Sequence, residues 1–133
     1  MLNISDDKSK LQIEVIHGFL TKSYWAKGRT LEEVKKSIDH CFCLGVYLDG
    51  KQIGFARVAT DYTVFAYLMD VFILPVYRGN GYSKELIKTI HESPELQTCK
   101  VWMLKTADAH GLYKQFGYLE LAHPEKIMER LLK

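Results

Sequence analysis

Arg78, Gly79, Gly81 and Ser83 stand within six positions of PVYRGNGYSKELI (residues 75–87), where an apolar run gives way to residues spaced for a helix. A helix begins with N–H groups that have no internal acceptor, and its dipole adds partial positive charge there. Glycines allow unusual φ values and let a ligand approach the backbone closely. Ser83 adds a hydroxyl, and Arg78 adds a permanent charge that can fork onto phosphate oxygens. Together these residues could hold a phosphate group. They would equally make a tight connection with a surface arginine, and residue types alone leave both readings open. Two other phosphate motifs are excluded. No G-x-x-x-x-G-K-[ST] run is present, and Lys84 stands where a G-x-G-x-x-G fingerprint needs its third glycine.

Four further groups could do chemistry. Asp70 is the one charge in TVFAYLMDVFIL (residues 63–74). Burial there would raise its pKa toward the range of a working base. It could instead bind a substrate cation or serve as a structural carboxylate. His110 is a second candidate base, and a chain of water could replace both. Tyr113 lies on an apolar stripe, where a tyrosine is often core with its hydroxyl satisfied. In SYWAKGRT (residues 23–30), Tyr24 and Trp25 could wall a pocket and Arg29 could grip a carboxylate or phosphate. Trp25 could equally anchor its loop, with Arg29 solvated. Phe65 and Tyr67 add aromatic surface nearby.

The elements that must position these groups follow from periodicity. Leu11, Val15 and Phe19 share a face, which predicts a helix over residues 11–22. Thr30 and Glu33 form a capping box for a second helix over about 31–40. Asp49-Gly50 between two β-rich runs predicts a hairpin over 42–60. Residues 63–74 read as a long central strand stopped by Pro75. Tyr82, Leu86, Ile87 and Ile90 give a helix that ends before Pro94. CKVWMLK (99–105) is a further strand, and Ala109, Leu112, Tyr113 and Phe116 make a last helix closed by Gly117. A short strand is expected after Tyr118. The order is ααβββαβα with a short β end, without repeats or linkers. It implies one α/β (α+β) domain over residues 1–133, with a mixed, mostly antiparallel central sheet flanked by helices.

Bulk composition narrows the function classes. Lys and Arg number 18 and Asp and Glu 16, so the net charge of +2 gives no support to a nucleic-acid partner. No apolar run approaches the roughly 18 residues of a membrane span, and MLNISDDKSK lacks the apolar core of a signal peptide. Cys41, Cys43 and Cys99 are too irregularly spaced for a bridge or metal site and read as reduced thiols of a cytoplasmic protein. The five histidines show no metal-ligand spacing, so no metal is expected.

DVFILPVYRGNGYSKELI resembles the acetyl-coenzyme A signature of the Gcn5-related N-acetyltransferases, R/Q-x-x-G-x-G/A at the start of a helix after a long strand. Arg78 takes the first position and Gly81 the second, while Ser83 replaces the final Gly or Ala. ADAHGLYKQFGY (107–118) is similar to the family's N-x-x-A-x-x-L-Y-x-x-x-G-F. Leu112, Tyr113, Gly117 and Tyr118 fall in place, and Asp108 stands near the usual Asn. The order of elements matches from about residue 11 to residue 121.

The resemblance implies an acetyl-coenzyme A-dependent N-acetyltransferase in which a neutral amine attacks the thioester directly. The pyrophosphate would lie on Arg78, Gly79, Asn80, Gly81, Tyr82 and Ser83, with Asp108 as a further coenzyme contact. Backbone groups of Val71, Phe72 and Ile73 would bond the pantetheine arm, and an N–H there, from Phe72 or a neighbour, would serve the oxyanion. Tyr113 would protonate the leaving thiolate, and Asp70 is the catalytic carboxylate candidate. The acceptor, a small-molecule amine, would meet Tyr24, Trp25, Arg29 and Tyr67. A protein N-terminus or lysine as acceptor stays open, as do a non-catalytic coenzyme A sensor and a homodimer.

Overall fold

The computed structural model describes residues 1–132. Its elements, in chain order, are β1 (Leu2–Ser5), α1 (Ile13–Leu20), α2 (Leu31–Asp39), β2 (Phe42–Leu48), β3 (Lys51–Thr60), β4 (Phe65–Ile73), α3 (Tyr82–Glu92), β5 (Val101–Leu104) and α4 (His110–Lys114). The Asp49-Gly50 turn has positive φ at both residues (52° and 80°), which suits the twist of the β2–β3 hairpin. The capping box closes as expected. Thr30 accepts from the Glu33 amide, and Glu33 accepts from the Thr30 amide.

The five strands form one sheet in the order β1-β2-β3-β4-β5. The first four are antiparallel to their neighbours, and β5 runs parallel to β4. Helices cover both faces. Ile16 and Leu20 of α1 with Val34 and Ile38 of α2 pack on Phe55 and Phe72. Leu86, Ile87 and Ile90 of α3 pack on the other face with Val46, Ile53 and Val58. Each of those three α3 side chains is fully buried, a gain of about 1.5–3 kcal/mol apiece that fixes which face of α3 lies on the sheet. Among the described residues no helix is long and apolar enough to cross a membrane.

Two expectations about the ends need correction. Residues 2–5 form a strand that the sequence reading omitted, paired along β2 from Leu2 opposite Leu48 to Ser5 opposite Gly45. The strand expected after Tyr118 is not formed: residues 119–132 hold only a 3₁₀ turn at Pro124–Lys126. Four residues are too few for a period to emerge, and what stabilises β1 is its partner's edge.

Candidate active site

β4 and β5 separate partway along their length. They pair only from Phe65 opposite Val101 to Leu68 opposite Leu104. Beyond Leu68 the β5-facing edge of β4, residues 69–73, has no partner strand among the described residues. Across β3, Phe55 pairs with Phe72 but Arg57 with Met69, so β4 carries one extra residue at this step. Such a bulge bends a strand and re-aims its side chains. Asp70 sits in it at φ 55°, a left-handed conformation that aspartate tolerates better than most residues.

The unpaired edge leads directly to the Gly-rich turn. Gly79 and Gly81 have φ of 87° and 78°, and a Cβ at either would meet nothing within 4 Å. What demands glycine here is the backbone conformation. Gly81 is the N-cap of α3. The amides of residues 79–84 bond to no acceptor among the described residues, and they border a hollow of about 190 Å³ lined by Arg78, Gly79, Gly81, Tyr82 and Ser83. Arg78 is held over the turn by a bond from its Nε to the Ile73 carbonyl (3.0 Å). Asn80 turns its side-chain amide inward to the Tyr77 carbonyl (3.0 Å). A row of unbonded N–H groups at a helix start, beside an arginine, fits a diphosphate.

The three sites where sequence reasoning placed acceptor and base meet in one cluster. Asp70, 4% exposed, accepts from Trp25 Nε1 (3.0 Å), Arg29 Nη1 (2.5 Å) and Arg57 Nε (2.9 Å). Trp25 therefore both anchors its loop and faces the cavity. It packs on Phe19 (centroids 6.0 Å) and against Tyr24 (5.1 Å, edge to face). Arg57, which sequence reasoning left out of the site, is buried and also donates to the Cys41 sulfur (3.4 Å). Burial opposes its charge, but attraction to Asp70 and the bond to Cys41 outweigh it and hold the guanidinium's pKa above its ordinary value.

A cavity of about 700 Å³ runs from this cluster to Tyr113, bordered by Tyr24, Trp25, Tyr67, Met69 and Val71. Tyr113 is 8% exposed, and burial, with Tyr24 and Asp108 adding to it, pushes its pKa up to about 12. Its ring meets Tyr118 edge to face (5.7 Å). His110 is exposed and donates from Nε2 to the Thr106 carbonyl (3.1 Å), away from the Asp70 cluster. Asp108 is likewise exposed at the rim. The hydroxyl that organises this turn belongs to Thr106, which accepts from the Ala109 amide (3.1 Å) and the Asp108 amide (3.4 Å). Strict counting of three positions back from Ala109 would have found it.

The model of the Acetyltransferase (GNAT) family matches residues 11–118. This chain belongs to the GNAT acetyltransferase family. A candidate GNAT acetyltransferase from Xanthomonas campestris pv. campestris is 44% identical, with a TM-score of 0.96 over 99% of this chain and 94% of that one. A candidate acetyltransferase of Gibberella zeae is 26% identical over an alignment of 138 positions, gaps included, that covers 86% of this chain and 77% of the relative. Glucosamine-6-phosphate N-acetyltransferase from Arabidopsis thaliana shares the fold, with a TM-score of 0.69 at 16% identity over 100% of this chain and 99% of that one. The GNAT match begins at Leu11, so β1 lies outside it.

Proposed function

We propose that this GNAT protein transfers an acetyl group from acetyl-coenzyme A to the primary amine of a small molecule, by direct attack within a ternary complex. One observation carries the reading: an unpaired strand edge at residues 69–73 runs into six unbonded amides at residues 79–84. Acetyl-coenzyme A, when bound, supplies an activated acetyl thioester. The amides of the α3 turn, with Arg78, Ser83 and the glycines, would hold its diphosphate. Phe72 is paired with Phe55 of β3 and the Ile73 carbonyl is taken by Arg78. The open-edge backbone of Val71 and the Ile73 amide would therefore orient the coenzyme's arm as a missing strand would, and Thr106 replaces Asp108 as the residue that shapes the far wall.

Tyr113 keeps its proton on Oη through neutral and mildly alkaline pH, since its pKa is about 12. Passing that proton fully to a thiolate would be uphill, because a thiol is the stronger acid of the two. Its part is then to donate a hydrogen bond to a sulfur that gains negative charge. Asp70, filled by three donors, is an anchor that sets Trp25 and Arg29, and we assign it no proton transfer. The amine's proton leaves through water in the open cavity. Tyr24, Trp25 and Tyr67 wall the acceptor. Three free, buried thiols suit a reducing compartment, and the cytoplasm is the proposed location.

The test is to follow free thiol while the protein turns over acetyl-coenzyme A with a panel of amines. Coenzyme-dependent thiol release for at least one amine is the expected result. Thermal stabilisation by coenzyme A with no release for any amine would point instead to a binding module. No stabilisation at all would remove both readings.

A further inference from the structure

Three charged side chains meet where the loop before α2 crosses the β4 bulge. Asp70, Arg57 and Arg29 have side chains 1%, 9% and 19% exposed. Two guanidinium groups face one carboxylate, which leaves one positive charge in excess where water has little access. Charge held out of water is costly unless it is paired.

The neighbouring acidic groups do not supply the missing partner. Glu33 lies near Arg29 but is exposed and committed to the Thr30 cap. Asp108 stands exposed at the rim, and Glu129 pairs with Lys105 at the surface. Arg57 spends Nε on Asp70 and Nη1 on the Cys41 sulfur. Arg29 spends only Nη1, on Asp70. Its other donors bond to nothing among the described residues, and Arg29 borders the 700 Å³ cavity.

We infer that the acceptor amine carries an oxyanion, a carboxylate or a phosphate, which docks on the free face of Arg29. This rests on the acetyl-transfer reading of the same cavity. Asp70, which Arg29 grips, adjoins Val71, the first of the edge residues assigned to the coenzyme arm. Arg29 and Tyr113 border the same cavity, so one small molecule can carry both the oxyanion on Arg29 and the amine that meets the thioester. Amino acids and short amino phosphates carry both groups. The aromatic wall of Tyr24, Trp25 and Tyr67 leaves room for an apolar side chain beside the anion.

Matched probes test this: phenylalanine against phenylalaninamide and phenethylamine, and phosphoethanolamine against ethanolamine. Thiol release measures kcat/KM, and the melting temperature with coenzyme A present measures binding without turnover. At least one anionic probe should exceed its neutral counterparts by tenfold or more in kcat/KM. The preference should shrink to about twofold in Arg29→Gln and partly return in Arg29→Lys. The phenylalanine and phosphoethanolamine arms separate carboxylate from phosphate. Neutral amines that serve equally well, or better, would overturn the inference while leaving acetyl transfer intact. If no probe turns over, melting decides: an anionic probe must stabilise the protein beyond its neutral counterpart, and equal shifts overturn the inference. Failure of coenzyme A itself to stabilise the protein would instead strike the acetyl-transfer reading.

Discussion

Asp70 separates an anchor from a base by its effect on folding. Asp70→Asn keeps the shape and the tolerance for φ 55° but removes the charge that faces Arg57 and Arg29. Breaking a buried pair by deleting one partner costs about 3–5 kcal/mol, because the other charge stays buried. Arg29 retains some contact with water, its side chain being 19% exposed, so the low end applies, about 3 kcal/mol. With 133 residues the unfolding entropy is about 0.28 kcal/mol/K, and the melting temperature should fall by about 11 °C. Circular dichroism melts at pH 7 measure this, with a urea series as an independent check. In the double variant Asp70→Asn/Arg57→Met much of the loss should return, since the pair then leaves together. A fall of less than about 3 °C with turnover abolished would refute the anchor and restore Asp70 as a base.

Tyr113→Phe should lower turnover about 100-fold while coenzyme A affinity, read by calorimetry, changes less than twofold. Because the phenol stays protonated below its pKa of about 12, Tyr113 should cause no fall in turnover from pH 7 to about 10. Gly81→Val forces a branched residue to φ 78°, at a cost of about 1–2 kcal/mol. It should also weaken coenzyme A binding about tenfold or more, and an unchanged affinity would contradict the cradle. His91 is held below its ordinary pKa of 6.5 by burial, with Nε2 at 3.1 Å from the Tyr118 hydroxyl. Folded protein then binds fewer protons than unfolded. The stability His91 contributes is full above pH 6.5 and is lost as pH falls through its lowered pKa. Urea midpoints between pH 7.5 and 5 should therefore drop less in His91→Phe than in the parent.

Local signals carried most of the frame. The Asp49-Gly50 turn, the Thr30–Glu33 box and the apolar run ending at Pro75 each state their structure within a few residues, and each element formed. β1 could not be read because its stability lies in pairing with β2, far away in sequence. Asp70 was visible as a charge in an apolar strand. Arg57 gave the same signal in IGFARVA, yet what joins them is a bulge between neighbouring strands, and a bulge leaves no local mark. Residue types named Arg29 and Trp25 as pocket residues. That both also brace Asp70 is a tertiary fact, set by where the loop before α2 lands.

The cradle itself is open to one direct measurement, a ¹H–¹⁵N titration with coenzyme A. The amides of residues 79–84, which bond to no acceptor among the described residues, should move most as ligand is added, with those of Val71 and Ile73 next. Saturable binding that leaves these signals in place, or moves a different surface, would contradict the assignment of the α3 turn as the diphosphate site.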